Sequence, residues 1–307
     1  MKIKVAVHNG IFHADDVLCV TMLMYKFGKE NIEVIRTRDE SIYSECDFVL
    51  DVGAKDLISD KQVCFDHHQK DSEYYENGIK KAACGKLAEF LFGKDKDLLE
   101  AMRNNFLYAI EAPDNGQKLE DFNLKSSSFE FIPMLNANWT EDLNVVNDEN
   151  FMKACDISLQ IFSRQIENIR AKVLAKNVFD KALENYDKDS RILYIDKYIP
   201  WQSFVVDANK NGANIAAVYF VGSDGNYDIW SIPESKDDFS PARLPQEWAG
   251  LRNEELQKVS GINSAVFCFM PRCFFVCTDR KDAIKVAEKI VEEQKNIESQ
   301  NIDKDIR

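Results

Sequence analysis

The residues best equipped for chemistry are the histidines. The chain has four, His8, His13, His67 and His68, all within the first 68 of its 307 residues. Each keeps company with acids. The first group reads His8-Asn-Gly-Ile-Phe-His13-Ala-Asp15-Asp16, and Gly10 within it permits a sharp turn. The second, Val63-Cys-Phe-Asp66-His67-His68-Gln69, is a short apolar run ending in a carboxylate and two imidazoles. Between them, Asp51 follows the apolar run Phe48-Val-Leu, where an acid is costly to bury unless paired or bound to a metal. Asp114 stands in Glu111-Ala-Pro-Asp-Asn-Gly116, with Glu111 a competitor for the same work.

Taken singly, each place has a plain structural reading. Asp15 or Asp16 would serve as a helix N-cap, Asp51 as a strand-end turn residue, Asp114 as part of an Asp-Asn-Gly turn, and His67-His68 as a surface pair. Together they offer three imidazoles with a fourth nearby and at least three carboxylates, too many for one structural zinc. Such a set suits two divalent ions roughly 3.5–4 Å apart, bridged by a carboxylate and a hydroxide. Mixed nitrogen and oxygen ligands favour manganese over magnesium, which prefers oxygen. Neighbours on an extended strand point to opposite faces, so His67 and His68 are expected to differ in task.

The elements that must position these groups follow from periodicity. Strands are expected at residues 3–8, 32–37, 46–52 and 63–65, with helices from Ala14 to the stop at Gly28, at 83–92 and at 97–110. Strands alternating with helices imply a mostly parallel sheet, whose carboxyl edge is where ligands bind. One long helix is expected over 150–186, where no proline or glycine interrupts an apolar stripe. The turn Asp187-Lys-Asp-Ser190 then separates a first domain, 1–187, from a smaller α+β domain, 188–307. That second domain should hold strands at 191–195, 214–221, 227–231, 265–270 and 273–277. A terminal helix over 281–295 and a frayed tail follow.

Composition sets outer limits. A net charge of −13, with 45% apolar and 30% charged residues, describes an ordinary globular chain and argues against duplex nucleic acid held by bulk electrostatics. The eight cysteines form no Cys-x-x-Cys, and several sit in apolar runs, which fits free thiols in a reducing compartment. Cys268, Cys273 and Cys277 read as members of two strands rather than as metal ligands. With no leader before the first strand and no apolar run near the ~20 residues a span needs, a cytoplasmic location is expected, nuclear entry being open, with no membrane and no obligate protein partner.

At this point the sequence resembles the DHH phosphoesterase superfamily and, within it, the melanocyte-proliferating-gene family, also labelled metal-dependent protein hydrolases. The resembling residues are His8-Asn-Gly-Ile-Phe-His-Ala-Asp15, Asp51-Val-Gly53, Phe65-Asp-His-His-Gln69, Gly85 ahead of Lys86-Leu-Ala-Glu-Phe-Leu-Phe-Gly93, and Asp114-Asn-Gly116. The later half joins them through Pro200-Trp201, Leu244-Pro-Gln-Glu-Trp-Ala-Gly-Leu-Arg252 and Glu254-Glu-Leu to Ser260-Gly261.

The resemblance implies a DHH-type α/β fold of two domains with the active site in the cleft between them. It further implies that His8, His13 and Asp51 hold one ion, and that Asp15, Asp51, His67 and Asp114 hold the other, with Asp51 bridging. His68 would face the substrate phosphate. The activity implied is 3′–5′ exonuclease action on RNA or a short oligonucleotide. A pyrophosphatase or small-nucleotide phosphatase would use the same metals, and a non-catalytic metal-binding regulator is the reading from another class.

Two departures stand out. Ala82-Ala83-Cys84 replaces small hydroxyl residues, leaving backbone amides near Gly85 for a phosphate, and Pro113 replaces an aliphatic residue before Asp114. Arg243 and Arg252 are the expected grips for substrate phosphates. Trp201 and Trp248 could stack a base, but read better as core.

Overall fold

The computed structural model describes residues 2–53, 55–70, 72–233 and 242–305. The chain divides into two compact units, Met1–Arg170 and Ala171–Arg307. The first contains β1 (Ile3–Val7), α1 (Ala14–Phe27), β2 (Ile32–Arg36), α2 (Glu40–Tyr43), β3 (Phe48–Leu50), β4 (Leu57–Ile58), β5 (Val63–Phe65), α3 (Ala83–Phe92), α4 (Lys96–Met102) and α5 (Tyr108–Asp114). The long α6 (Leu143–Glu184) runs from the first unit into the second.

The first sheet has the order β2-β1-β3-β5-β4. β1 pairs in parallel with both β2 and β3, β3 pairs in parallel with β5, and β4 alone runs antiparallel at the edge. Burial explains the strand composition. Val5–Val7, Phe48–Leu50 and Val63–Phe65 are buried throughout, as strands covered on both faces must be. From β1 the chain crosses through α1 to β2 on one side, then returns to β3 on the other. The carboxyl ends of β1 and β3 therefore flank a switch point of the sheet, the usual ligand crevice of an open α/β sheet.

The second unit contains β6 (Ile192–Ile195), α7 (Gln202–Lys210), β7 (Ala217–Val221), β8 (Tyr227–Ser231), α8 (Asn253–Ser260), β9 (Ala265–Cys268), β10 (Phe274–Cys277) and α9 (Arg280–Asp305). Its sheet, β6-β7-β8-β10-β9, is parallel only between β6 and β7. Trp201 and Trp248 are buried in its two cores rather than offered to a ligand. The eight cysteines are free and buried, with Cys268 and Cys277 on paired strands. No helix among the described residues is long and apolar enough to cross a membrane.

Several elements differ from the sequence expectation. The strand expected over 46–52 shortens to β3, because Asp51 already turns out of extended conformation with φ 55°. The helix expected over 97–110 is three pieces, α4, a π-helical stretch Arg103–Leu107 and α5. The expected loop from Glu111 to Gly116 is instead helical as far as Asp114, so both Glu111 and Asp114 ride on a helix. Pro113 is tolerated one residue from that end. The tail expected to fray stays helical to Asp305. Short or weakly patterned pieces, α2, β4, α7 and α8, carried too little apolar periodicity to be expected at all.

The division between units falls within α6 rather than after it, because α6 serves two cores. Phe151, Ala154, Cys155, Phe162, Ile166 and Ile169 pack into the first, Ala175 and Phe179 into the second. Phe162 is fully buried, and its ring meets those of Tyr25, Phe92 and Phe106 at 5.2, 6.2 and 5.8 Å. Phe162→Ala is expected to cost about 3–5 kcal/mol, read from denaturant unfolding of the first unit. A cost under about 1 kcal/mol would show that α6 is not anchored there.

Candidate metal centre

Three of the four parallel strands deliver a polar group to the site at the carboxyl edge of the first sheet. His8 follows β1, Asp51 follows β3, and Asp66-His67 follows β5. α1 brings Asp15 and Asp16 from its first turn, and α5 brings Asp114 from its last. His8, Asp15, Asp16, Asp51, Asp66 and His67 are all buried. Potential ligand atoms converge in three overlapping sets, His8 with His13 and Asp51, Asp51 with His67 and His68, and Asp15 with His67 and Asp114, each within a span of 4.8 Å. Residues separated by more than a hundred positions are thus gathered at one sheet edge, and Asp51 is common to two sets.

The two buried imidazoles are held alike. His67 Nδ1 lies 2.9 Å from Asn115 Oδ1, while His8 Nδ1 lies 3.2 Å from the Asn9 carbonyl. The carbonyl of Asn9 can only accept, and Asn115 Nδ2 is committed to the Lys80 and Glu111 carbonyls, leaving its oxygen to accept. Both Nδ1 atoms are therefore donors, and both Nε2 atoms turn to the carboxylates. His67 Nε2 stands 3.1 Å from Asp51 Oδ1, 3.1 Å from Asp114 Oδ2 and 3.9 Å from Asp15 Oδ2. His8 Nε2 stands 3.2 Å from Asp16 Oδ2 and 3.5 Å from Asp51 Oδ2. An outer hydrogen bond that fixes the tautomer is the usual support of a metal-binding imidazole.

His67 and His68 do not project to opposite faces. The chain leaves strand geometry after Phe65, and the two rings lie 4.3 Å apart. They still differ in task. His67 is buried, whereas the side chain of His68 is 59% exposed. Asp66 supports His68, accepting from its Nδ1 at 2.9 Å and from its backbone N–H at 3.1 Å. His13 is also exposed, with Nδ1 3.8 Å from Asp114 Oδ1.

Burial crowds these charges together. Both oxygens of Asp51 and Oδ2 of Asp16 are buried without a hydrogen-bond partner, a costly state for a carboxylate. Asp51 also holds a positive φ, uncommon for a residue with a side chain. Burial, and after it the charge of Asp51, raises the pKa values of Asp15 and Asp114. Burial pushes Asp16 up to about 7. Burial opposes a charge on His67, but Asp51, Asp15 and Asn115 outweigh it and push its pKa up to about 10. The same opposition holds at Asp51, where His67 and His8 prevail over burial and keep the carboxyl below its ordinary range. Oxygen and imidazole donors in excess of the available protons make a donor set that fits divalent cations.

A surrounding layer fixes the cage. The N-terminus of α3 gives its amides of Ala83 and Cys84 to Asp15, at 3.2 and 2.7 Å, and Ala82 N–H to Glu111 Oε1 at 2.9 Å. These amides, expected to serve a phosphate, thus serve carboxylates of the protein itself. Lys86 donates to the Asp66 carbonyl at 2.9 Å and pairs with Asp56, whose other oxygen accepts from Asp66 N–H. Lys80 Nζ holds the His67 carbonyl at 3.0 Å. Asn115, Lys80, Lys86 and Asp56 carry no assigned role in the sequence reading, Asp16 carries only that of a cap, and Glu111 proves to be a supporting residue. Asn115 carried a signal, since it directly follows Asp114 in the turn motif.

Arg243 and Arg252 belong to the second unit. Arg243 is half-buried, and exposed Arg252 lies over the Phe267 ring at 4.1 Å.

A parallel sheet whose carboxyl edge carries a cage of buried carboxylates and imidazoles defines a class, the α/β proteins with a polar site at a switch point. Within it, the chain belongs to the group described as Uncharacterised protein family (UPF0160), whose model, MYG1_exonuc, matches residues 4–291. A MYG1 protein of Chlamydia pneumoniae is 30% identical over 286 residues, covering 91% of this chain and 93% of its own. The MYG1 exonuclease of Bos taurus is 25% identical, covering 86% and 78%. Among solved structures, the exonuclease RecJ bound to manganese aligns over 94% of this chain and 89% of its own, at 12% identity and a TM-score of 0.28.

Gly85 owes its identity to this packing. A Cβ there would collide with Glu111 Oε1 and come within 2.5 Å of Tyr75 Oη. Gly85→Ala is therefore expected to destabilise the first unit by about 1–3 kcal/mol, read as a lower Tm. An unchanged Tm would show that Glu111 can withdraw at no cost.

Proposed function

We propose that this chain is a divalent-metal-dependent phosphodiesterase that shortens RNA from its 3′ end. The observation that carries the reading is the pair of Asp51 oxygens, buried and without hydrogen bonds between the imidazoles of His8 and His67. In this reading His8, His13 and Asp51 hold one ion, Asp15, Asp51, His67 and Asp114 hold a second, and Asp51 bridges. Manganese suits the mixed donors better than magnesium. Bound there, the ions would supply a water of lowered pKa and a Lewis acid for the phosphoryl oxygens.

The protein does the rest by position. His67 is locked by Asn115, so its Nε2 is always presented to the cage. The Nδ1–H of His68 is engaged by Asp66, and in its imidazolium form the ring would donate from Nε2 to a substrate phosphate as charge grows on it. Gly85 acts by admitting Glu111 rather than by touching phosphate. Arg243 and Arg252 are the cations we assign to further phosphates of the substrate.

The choice of nucleic acid rests on the resemblance and on the exonuclease name of the bovine relative. A second reading, a pyrophosphatase or small-nucleotide phosphatase, draws support from the net charge of −13, which favours short substrates. The test is hydrolysis by chelator-treated protein, with and without manganese, of a labelled RNA oligomer, a dinucleotide and pyrophosphate. Activity is expected only with metal, and greatest on the oligomer. Asp51→Asn and His67→Ala are each expected to lower it by more than about 100-fold with little change in Tm. Pyrophosphate as the sole good substrate would replace the exonuclease with the second reading. Absence of any hydrolysis, with both variants unfolded, would make the site structural.

A further inference from the structure

We propose that Asp16 is a ligand of the cation shared by His8 and Asp51, a role that rests on the metal-binding reading above. On sequence alone Asp16 is a candidate N-cap; in the structure His13 is the N-cap, and Asp16, two residues into the helix that starts at Ala14, reaches back to cap it. Its Oδ1 accepts from the N–H of His13 at 2.9 Å and from that of Val17 at 2.9 Å. A cap needs one oxygen and ordinarily leaves the other in water. Here the residue is wholly buried, and Oδ2 has no hydrogen bond. With Oδ1 committed, the carboxylate cannot rotate to change that.

What Oδ2 faces is His8 Nε2, at 3.2 Å. Because His8 Nδ1 donates to the Asn9 carbonyl, Nε2 of the neutral ring is a bare lone pair. That lone pair confronts two carboxylate oxygens, Asp16 Oδ2 and Asp51 Oδ2, an arrangement relieved either by a proton on Nε2, which burial opposes and the two acids favour, or by a metal ion standing among the three atoms. The Arg36 guanidinium adds positive charge without touching Asp16, since its terminal nitrogens go to Asp148 and the Gly10 carbonyl. Ligands about 2.1 Å from one ion and at right angles stand about 3 Å apart. The separations of 3.2 and 3.5 Å from His8 Nε2 match neighbouring positions on one ion. Asp16 would then join the start of α1 to the ion through one carboxylate, one oxygen holding the helix and the other the metal.

Asp16→Asn separates these tasks, because its amide oxygen can still accept from His13 and Val17 while the second ligand oxygen is gone. Metal-free wild type and variant would be titrated with manganese by calorimetry, alongside the rise in Tm that manganese produces. The variant is expected to fold as wild type by circular dichroism, to bind one ion at least about 10-fold more weakly, and to show a smaller rise in Tm. Equal affinities and an undiminished rise overturn the assignment and leave Asp16 a cap. Failure of wild type to bind manganese would instead overturn the metal-centre reading itself, so the two failures are distinguishable.

Discussion

The architecture of the first unit answers to one constraint, the crowding of carboxylates away from water. Asp15, Asp16 and Asp51 are buried, Asp114 nearly so, and all are within reach of only two buried imidazoles. Removing one acid from water is costly, and placing several together multiplies the cost through mutual repulsion. Protons can relieve it only in part, as the raised pKa values of Asp15, Asp16 and Asp114 beside the lowered one of Asp51 attest. Divalent cations bound there would relieve it further, and the features nearby hold the cage in place.

Those devices recur at each layer. The parallel strands place three polar chain ends along one edge. The amides at the start of α3 face Asp15, where the positive end of a helix favours negative charge. Lys80 and Lys86 hold main-chain carbonyls of the Asp66-His67 turn, and Asn115 and Asn9 fix the proton on the far side of each buried ring. Gly85 removes the one Cβ that would push Glu111 away. Such preorganisation puts rigidity where ligand geometry must be accurate, and it is built from backbone and second-layer side chains rather than from the ligands alone.

Much of this was legible in the sequence, and the reasons are physical. Strands buried on both faces announce themselves as short apolar runs, so β5 and the helix α3 were expected at their observed limits. Polar residues that terminate such runs stand out, which is why His8, Asp51 and His67 could be grouped before any coordinates. What escaped were residues whose work depends on distant partners. Asp16 looked like a cap, Glu111 like a rival of Asp114, and Lys86 like one more charge on a helix. Their importance lies in contacts that join them to residues far away in the chain, and no local pattern encodes these. Asp114 was found as a residue but misplaced on a loop, because Pro113 and Gly116 signal a turn that in fact begins only after the helix ends.

The central claim is that the cage formed by His8, Asp15, Asp51, His67 and Asp114 holds a pair of cations. The most direct test is an anomalous-difference map from crystals grown with manganese, collected at the manganese edge. Two peaks are expected, on either side of Asp51, one within bonding distance of His8 and the other of His67 and Asp114. A map with no peak among these side chains, in crystals where manganese is present, would contradict the account.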